Sequence, residues 1–132
     1  MTQTISALTL LVPDYDQGIE YYVNVLGFDL VEDTVLSPTK RWVVVAPSRD
    51  AGPGLVLAKA DTDAQKNAIG HQTGDRVFLF LTTDDFATDH ARYVKTGVEF
   101  LEEPRHEAYG TVAVFRDAFG NKWDLIERKP AT

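Results

Sequence analysis

Three histidines, twenty carboxylates and no cysteine are the main chemical resources of this chain. His71, His90 and His106 show no i, i+4 spacing, so no two form the helical imidazole pair that grips zinc. Without Cys there are no thiolate metal sites, disulfides or cysteine nucleophiles. No Gly-x-x-x-x-Gly-Lys phosphate loop, Gly-x-Gly-x-x-Gly fingerprint or Gly-x-Ser-x-Gly elbow occurs. The neighbouring acids Glu102-Glu103 and Asp84-Asp85 diverge along a strand or a helix cap, which argues against acid/base dyads. What remains is a set of binding groups. Asp124 alternates with Trp123 and Leu125, so its carboxylate lies on the opposite strand face. It can accept hydrogen bonds from a ligand, pair with a cationic group, or act as a base if burial raises its pKa. It can equally be satisfied internally by Arg41, Arg76 or Lys59. Tyr109, beside Gly110 in the loop from Pro104, carries an amphipathic ring suited to gating an apolar pocket. The plainer reading of that loop is a solvated hairpin with weak surface pairs among Glu102, Glu103 and Arg105. His71, next to Gln72 and Thr73, is expected near a cavity mouth, and His90, on a helix covering the outer face of the sheet, is expected as an ordinary surface or boundary residue.

The elements that position these groups come as a repeat. Ile5 to Val12 is an apolar, strand-like run stopped by Pro13, and Asp14 caps a helix with Ile19, Tyr22, Val23 and Leu26 on one stripe, ended by Gly27. Three strand-length runs follow: Phe28 to Glu32, Arg41 to Pro47 and Leu55 to Ala58. About 70 residues later the order returns. Val77 to Thr82 is a strand, Asp85 a cap, and Ala87, Ala91 and Val94 a stripe ending at Gly97. Val98 to Leu101, Thr111 to Phe115 and Trp123 to Glu127 complete the second set, the last two joined by a turn from Asp117 to Asn121. The spacing predicts two βαβββ modules, about 1–60 and 76–132, joined by a polar linker 61–75 with a short helix at Ala64 to Ile69. Modules this small are expected to share a core, as one domain of α+β class.

The tandem pattern, with Val12-Pro13-Asp14-Tyr15-Asp16 leading to Tyr21-Tyr22 and Leu26-Gly27-Phe28, resembles the vicinal oxygen chelate superfamily of glyoxalases, bleomycin-resistance proteins and extradiol dioxygenases. Phe115 to Asn121 before Trp123-Asp124-Leu125 is similar to that family's closing hairpin. The resemblance implies curved four-stranded sheets forming an open, eight-stranded barrel around a cavity, within a homodimer. Its metal-using members place inward-facing His, Gln or Glu ligands on the first and last strands of each module, and the corresponding positions here are Ala7, Val56, Phe78 and Asp124. Three of the four lack a donor atom, whereas a catalytic divalent ion commonly takes three or more protein ligands. A one-residue slip offers Ser6 or Leu8, Leu55 or Leu57, Val77 or Leu79, and Trp123 or Leu125, which are no better. No metal and no cofactor are therefore expected. If Ala7 and Phe78 face inward, period two brings Thr9 and Phe80 with them, and Trp42 joins from a neighbouring strand.

The ligand-contact set expected from the sequence is thus Thr9, Trp42, His71, Phe78, Phe80, Tyr109 and Asp124, around a small organic molecule. A net charge of −7 over 132 residues argues against nucleic acid or an anionic membrane as partner and suits a cationic ligand. No apolar run is long enough to span a bilayer, and the first basic residue is Lys40, so no charged signal region is read and the cytoplasm is the default location. The expected function is binding, as in the bleomycin-resistance group, with a drug or metabolite sequestered without a metal. The alternative is a divergent metal-dependent lyase, isomerase or dioxygenase, or a metal-free one using Asp124 as base with Tyr109 or His71 assisting.

Overall fold

Pro13 withholds a backbone donor and so ends the first strand, β1 (Ala7–Val12). In the computed structural model, which describes residues 2–130, the Asp14 carboxylate accepts the amides of Asp16 and Gln17 at 3.0 and 3.2 Å, capping helix α1 (Tyr15–Ile19). The helix continues as a π-helical stretch, Glu20–Val25, where Leu26 N–H reaches back to the Tyr21 carbonyl at 3.0 Å. Tyr15, Gly18, Tyr22 and Leu26 are buried, while Ile19 and Val23, expected on that stripe, are only half-buried. Gly18 allows close packing on the sheet, since a Cβ there would stand 3.0 Å from a Leu57 methyl.

Strands β2 (Asp29–Ser37), β3 (Lys40–Ala46) and β4 (Gly54–Lys59) complete the first sheet in the order β1-β4-β3-β2, with β1 parallel to β4. The Asp14-to-Val25 helical segment covers one face, over Leu10, Val12, Val43, Val45, Leu55 and Leu57, all of them buried. Helix α2 (Asp63–Ala68) then opens on a capping box between Thr62 and Gln65, within the segment read as linker. The chain divides into two compact units between Ile69 and Gly70.

The second unit repeats the topology. Strand β5 (Leu79–Thr82) leads to α3 (Phe86–Lys95), capped by Asp85, and then to β6 (Glu99–Phe100), β7 (Arg105–Glu107), β8 (Gly110–Arg116) and β9 (Lys122–Arg128). The sheet order is β5-β9-β8-β6, with β5 parallel to β9 and β7 also paired to β8. Strands β6 and β7 together replace the single long β2 of the first unit, and the loop expected from Glu102 to Gly110 contains β7. Pro104 lies in the break. There the Glu102 carboxylate accepts Val114 N–H at 2.9 Å, taking the role a strand carbonyl would have. The aromatic core stacks Phe115 on Trp123 at 5.6 Å, with Tyr93 and Phe100 edge-on to Phe115, each at 5.7 Å. The structure is therefore α+β, with sheets of four and five strands. No described helix is long and apolar enough to cross a membrane.

Candidate functional site

Each sheet has a second face, and the cross-strand register identifies its residues. In the first unit Thr9 pairs with Val56, Leu11 with Ala58, and Val44 with Val56, which places Thr9, Leu11, Trp42, Val44, Val56 and Ala58 together. None of these is fully buried, in contrast to the strand residues under the helix. A groove of about 510 Å³ opens here, floored by Leu11, Val56 and Ala58 and edged by Thr9, Lys59, Asp61 and Gln65. Trp42 stands in it 41% exposed. Arg41, at the groove's end, is already committed. Its guanidinium binds both oxygens of Asp33, at 3.1 and 2.7 Å, and Asp16 at 2.8 Å, above the Tyr15 ring. The bonds to Asp33 and then Asp16 hold it more firmly protonated than an ordinary arginine.

In the second unit Asp124 pairs with Phe80 on one side and Val114 on the other. Phe80, on the shared face, is 65% exposed. Phe78 is half-buried one residue before β5, its N–H donating to the Lys122 carbonyl at 2.8 Å, and period two sets it on the face of Phe80. Burial pushes the Asp124 carboxyl above its usual range, and the nearby Glu102 adds to this while Arg105 opposes it. The cation beside Asp124 is thus Arg105, and not the Arg41, Arg76 or Lys59 expected from the sequence. Arg105 is itself shared, with Nε 2.9 Å from Glu102 and Nη1 3.0 Å from Glu107, and Asp124 accepts no hydrogen bond from any described residue. Tyr109 lies in the turn between β7 and β8, 46% exposed and close enough to Arg105 to favour its charged form. His71 lines a cavity with Arg76, Arg116 and Lys122 whose lining includes neither Asp124 nor Tyr109. His90 is half-buried at the boundary, as expected, its ring contacting Phe86 at 5.4 Å and Phe100 at 4.3 Å.

Thr9 and Trp42 come together in one groove, and Phe78, Phe80 and Asp124 share one sheet face. No sequence pattern marks Lys59, Asp61 and Gln65 as groove residues, whereas the pairing of Arg105 with Glu102 expected within the loop is present at 2.9 Å. Arg116 and Lys122 flank the Asp117–Asn121 turn symmetrically, a cue to their cross-strand pairing that was there to be read. The positions the resemblance assigns to metal ligands do not fit a divalent cation, because Ala7, Val56 and Phe78 present a methyl, an isopropyl and a phenyl group. Among the described residues no three His, Asp or Glu side chains gather as a metal cluster.

Comparison with known proteins agrees with this architecture. A Shewanella frigidimarina (strain NCIMB 400) protein, described as uncharacterized, is 50% identical over 128 residues, covering 96% of this chain and 95% of that protein. Among solved structures, UcmS2 superposes with a TM-score of 0.82 at 28% identity, covering 96% of this chain and 98% of its own. TnmS3, an antibiotic binding protein from Streptomyces sp. CB03234, gives 0.76 at 28% identity, over 97% of this chain and 98% of its own. Residues 4–125 match the model of one family, and the chain belongs to the glyoxalase/bleomycin resistance protein/dioxygenase superfamily.

Proposed function

We propose that this protein binds an organic small molecule without a metal ion and holds it unchanged, with the groove of the first sheet as the principal site. The observation that carries this reading is Trp42, a large ring left 41% exposed over an apolar floor in a space of about 510 Å³. Ligand pockets of roughly 300–1,000 Å³ combine such a floor with a few polar groups that fix orientation, the part Thr9 and Gln65 can play here. The likeness to TnmS3 supports an antibiotic or a molecule of similar size. We assign further contacts to Phe80 and Asp124, since an exposed ring beside a carboxylate that lacks a hydrogen-bond donor suits an aromatic cation. Phe78 and Tyr109 are assigned to the rim of that second surface. A homodimer and a cytoplasmic location complete the proposal, and exposed Val35 and Leu36 at the β2–β3 hairpin tip support the dimer.

The test is a panel of aromatic antibiotics added to protein dialysed against chelator. A ligand specific for the folded state must raise the melting temperature. We expect at least one to do so, Trp42→Ala to weaken it about tenfold or more, in the range of a lost aromatic anchor, and mass spectrometry to recover it unaltered. Binding that needed an added metal, a ligand recovered as product, or full affinity in Trp42→Ala would each overturn the corresponding part of the proposal.

A further inference from the structure

The chain is strongly acidic, yet three of its cations converge on one cavity of the second unit. Arg76, Arg116 and Lys122 line a space of about 290 Å³ with His71, against a single lining carboxylate, Asp75. Arg116 and Lys122 are directly opposed across the β8–β9 ladder, so their side chains leave the same sheet face side by side. Arg76 approaches from the segment before β5.

Their hydrogen-bonding capacity is largely unspent. Lys122 Nζ donates to the Asp75 carbonyl at 3.1 Å, which leaves two ammonium protons. Arg116 reaches only Glu99, at 3.9 Å and across an exposed gap, too long for a hydrogen bond. The Arg76 guanidinium meets no partner among the described residues. Like charges gathered in this way repel one another, and nothing in the unit's packing requires them to meet. The cavity floor is formed by backbone at Gly70 and Gly120. A Cβ on Gly70 would fall 2.2 Å from the Phe119 carbonyl oxygen, and the φ of +75° there is one that side-chain-bearing residues rarely adopt.

We propose that this cavity is an anion site that takes a phosphate group, free or carried on a small organic molecule. Two guanidinium forks and an ammonium arriving from different elements match a tetrahedral dianion with several acceptor oxygens better than a planar monoanionic carboxylate. A volume at the lower edge of ligand pockets excludes a whole nucleotide from being enclosed. The site is independent of the Trp42 groove, and inorganic phosphate alone probes it.

The experiment is an NMR titration of the full chain with sodium phosphate at fixed ionic strength, with sodium acetate as the carboxylate comparator. Saturable shifts are expected at Gly70 to Arg76, Arg116 and Lys122, at phosphate concentrations at least tenfold below any acetate effect. Arg76→Gln and Arg116→Gln are each expected to weaken phosphate about tenfold, the loss typical of a charge-assisted hydrogen bond. Lys95→Gln, an exposed cation on α3, should leave phosphate affinity unchanged. Both arginines are exposed, so the variants should keep the parent's melting temperature and remain interpretable. Non-saturating shifts, an acetate response equal to that of phosphate, or full affinity in both arginine variants would overturn the assignment.

Discussion

Replacing Asp117 tests how the β8–β9 hairpin is held and, with it, the placement of Lys122 and Asp124. Asp117 is 3% exposed. One carboxylate oxygen accepts Phe119 N–H at 2.9 Å and Asn121 N–H at 3.0 Å, and the other accepts Asn121 Nδ2 and Trp123 Nε1, both at 3.0 Å. The last three bonds are buried. A buried donor left unpaired costs about 1–3 kcal/mol, so Asp117→Ala, which strands all of them, should cost about 4–6 kcal/mol. Set against a total stability of about 5–15 kcal/mol for a typical domain, that approaches global unfolding. Asp117→Asn is the sharper variant. Its amide keeps one acceptor oxygen but turns an NH2 toward two donors, so half the network goes while side-chain volume is retained. We expect a loss of about 2–4 kcal/mol, read from urea unfolding by far-ultraviolet circular dichroism at an unchanged m-value. An Asp117→Asn protein within about 0.5 kcal/mol of the parent, the range of an ordinary surface substitution, would refute the view that this carboxylate organises the turn.

Two pH predictions follow from buried groups. The folded-state pKa of Asp124 lies above its ordinary 3.8, chiefly through burial, so ionising it costs stability as pH rises through a window beginning at 3.8. Asp124→Asn should therefore melt higher than the parent at pH 7, with the difference fading as pH falls to 3.8; an advantage independent of pH would remove the titration from the explanation. Burial pushes the Tyr93 phenol up to about 12, with Arg92 opposing and Asp89 adding to the effect. Its contribution to stability is lost as pH climbs above 10.0, so base-induced unfolding should begin between 10.0 and 12, and Tyr93→Phe should move that midpoint upward in an absorbance titration.

The repeat was the most legible feature, because strand-length runs, helix caps at Asp14 and Asp85 and stops at Gly27 and Gly97 are all local signals. Both sheets place the first strand beside the last, as repetition of one unit requires. The differences arose where packing or hydrogen bonding departed from regular periodicity. The buried stripe runs through Tyr15, Gly18, Tyr22 and Leu26, with Ile19 and Val23 on its flank, because the helix begins at Tyr15 and Gly18 lets it pack closely on the sheet; the π-helical stretch that follows has no residue type that marks it in advance. The split of β6 from β7 depends on a side chain, Glu102, standing in for a strand carbonyl, and composition gives no sign of that substitution.

The candidate site divides along the same line. Which residues share a face follows from period two once the register is known, so Thr9 with Trp42 and Phe80 with Asp124 were within reach of the sequence. Which charge answers which was not, because long side chains choose partners through tertiary geometry. Arg41 was open as a partner for Asp124 on sequence grounds, yet it is taken by Asp16 and Asp33, on α1 and the neighbouring strand β2. Asp124 is left facing an arginine already divided between Glu102 and Glu107. A carboxylate in that position is only partly compensated, and a cationic ligand arriving beside Phe80 would complete its charge balance without displacing an existing bond. The same carboxylate therefore links the unfavourable ionisation of the free protein to the aromatic cation proposed as its ligand. A ligand of that kind should draw the Asp124 pKa back down on binding, so its affinity should rise with pH through the window in which the free carboxyl titrates.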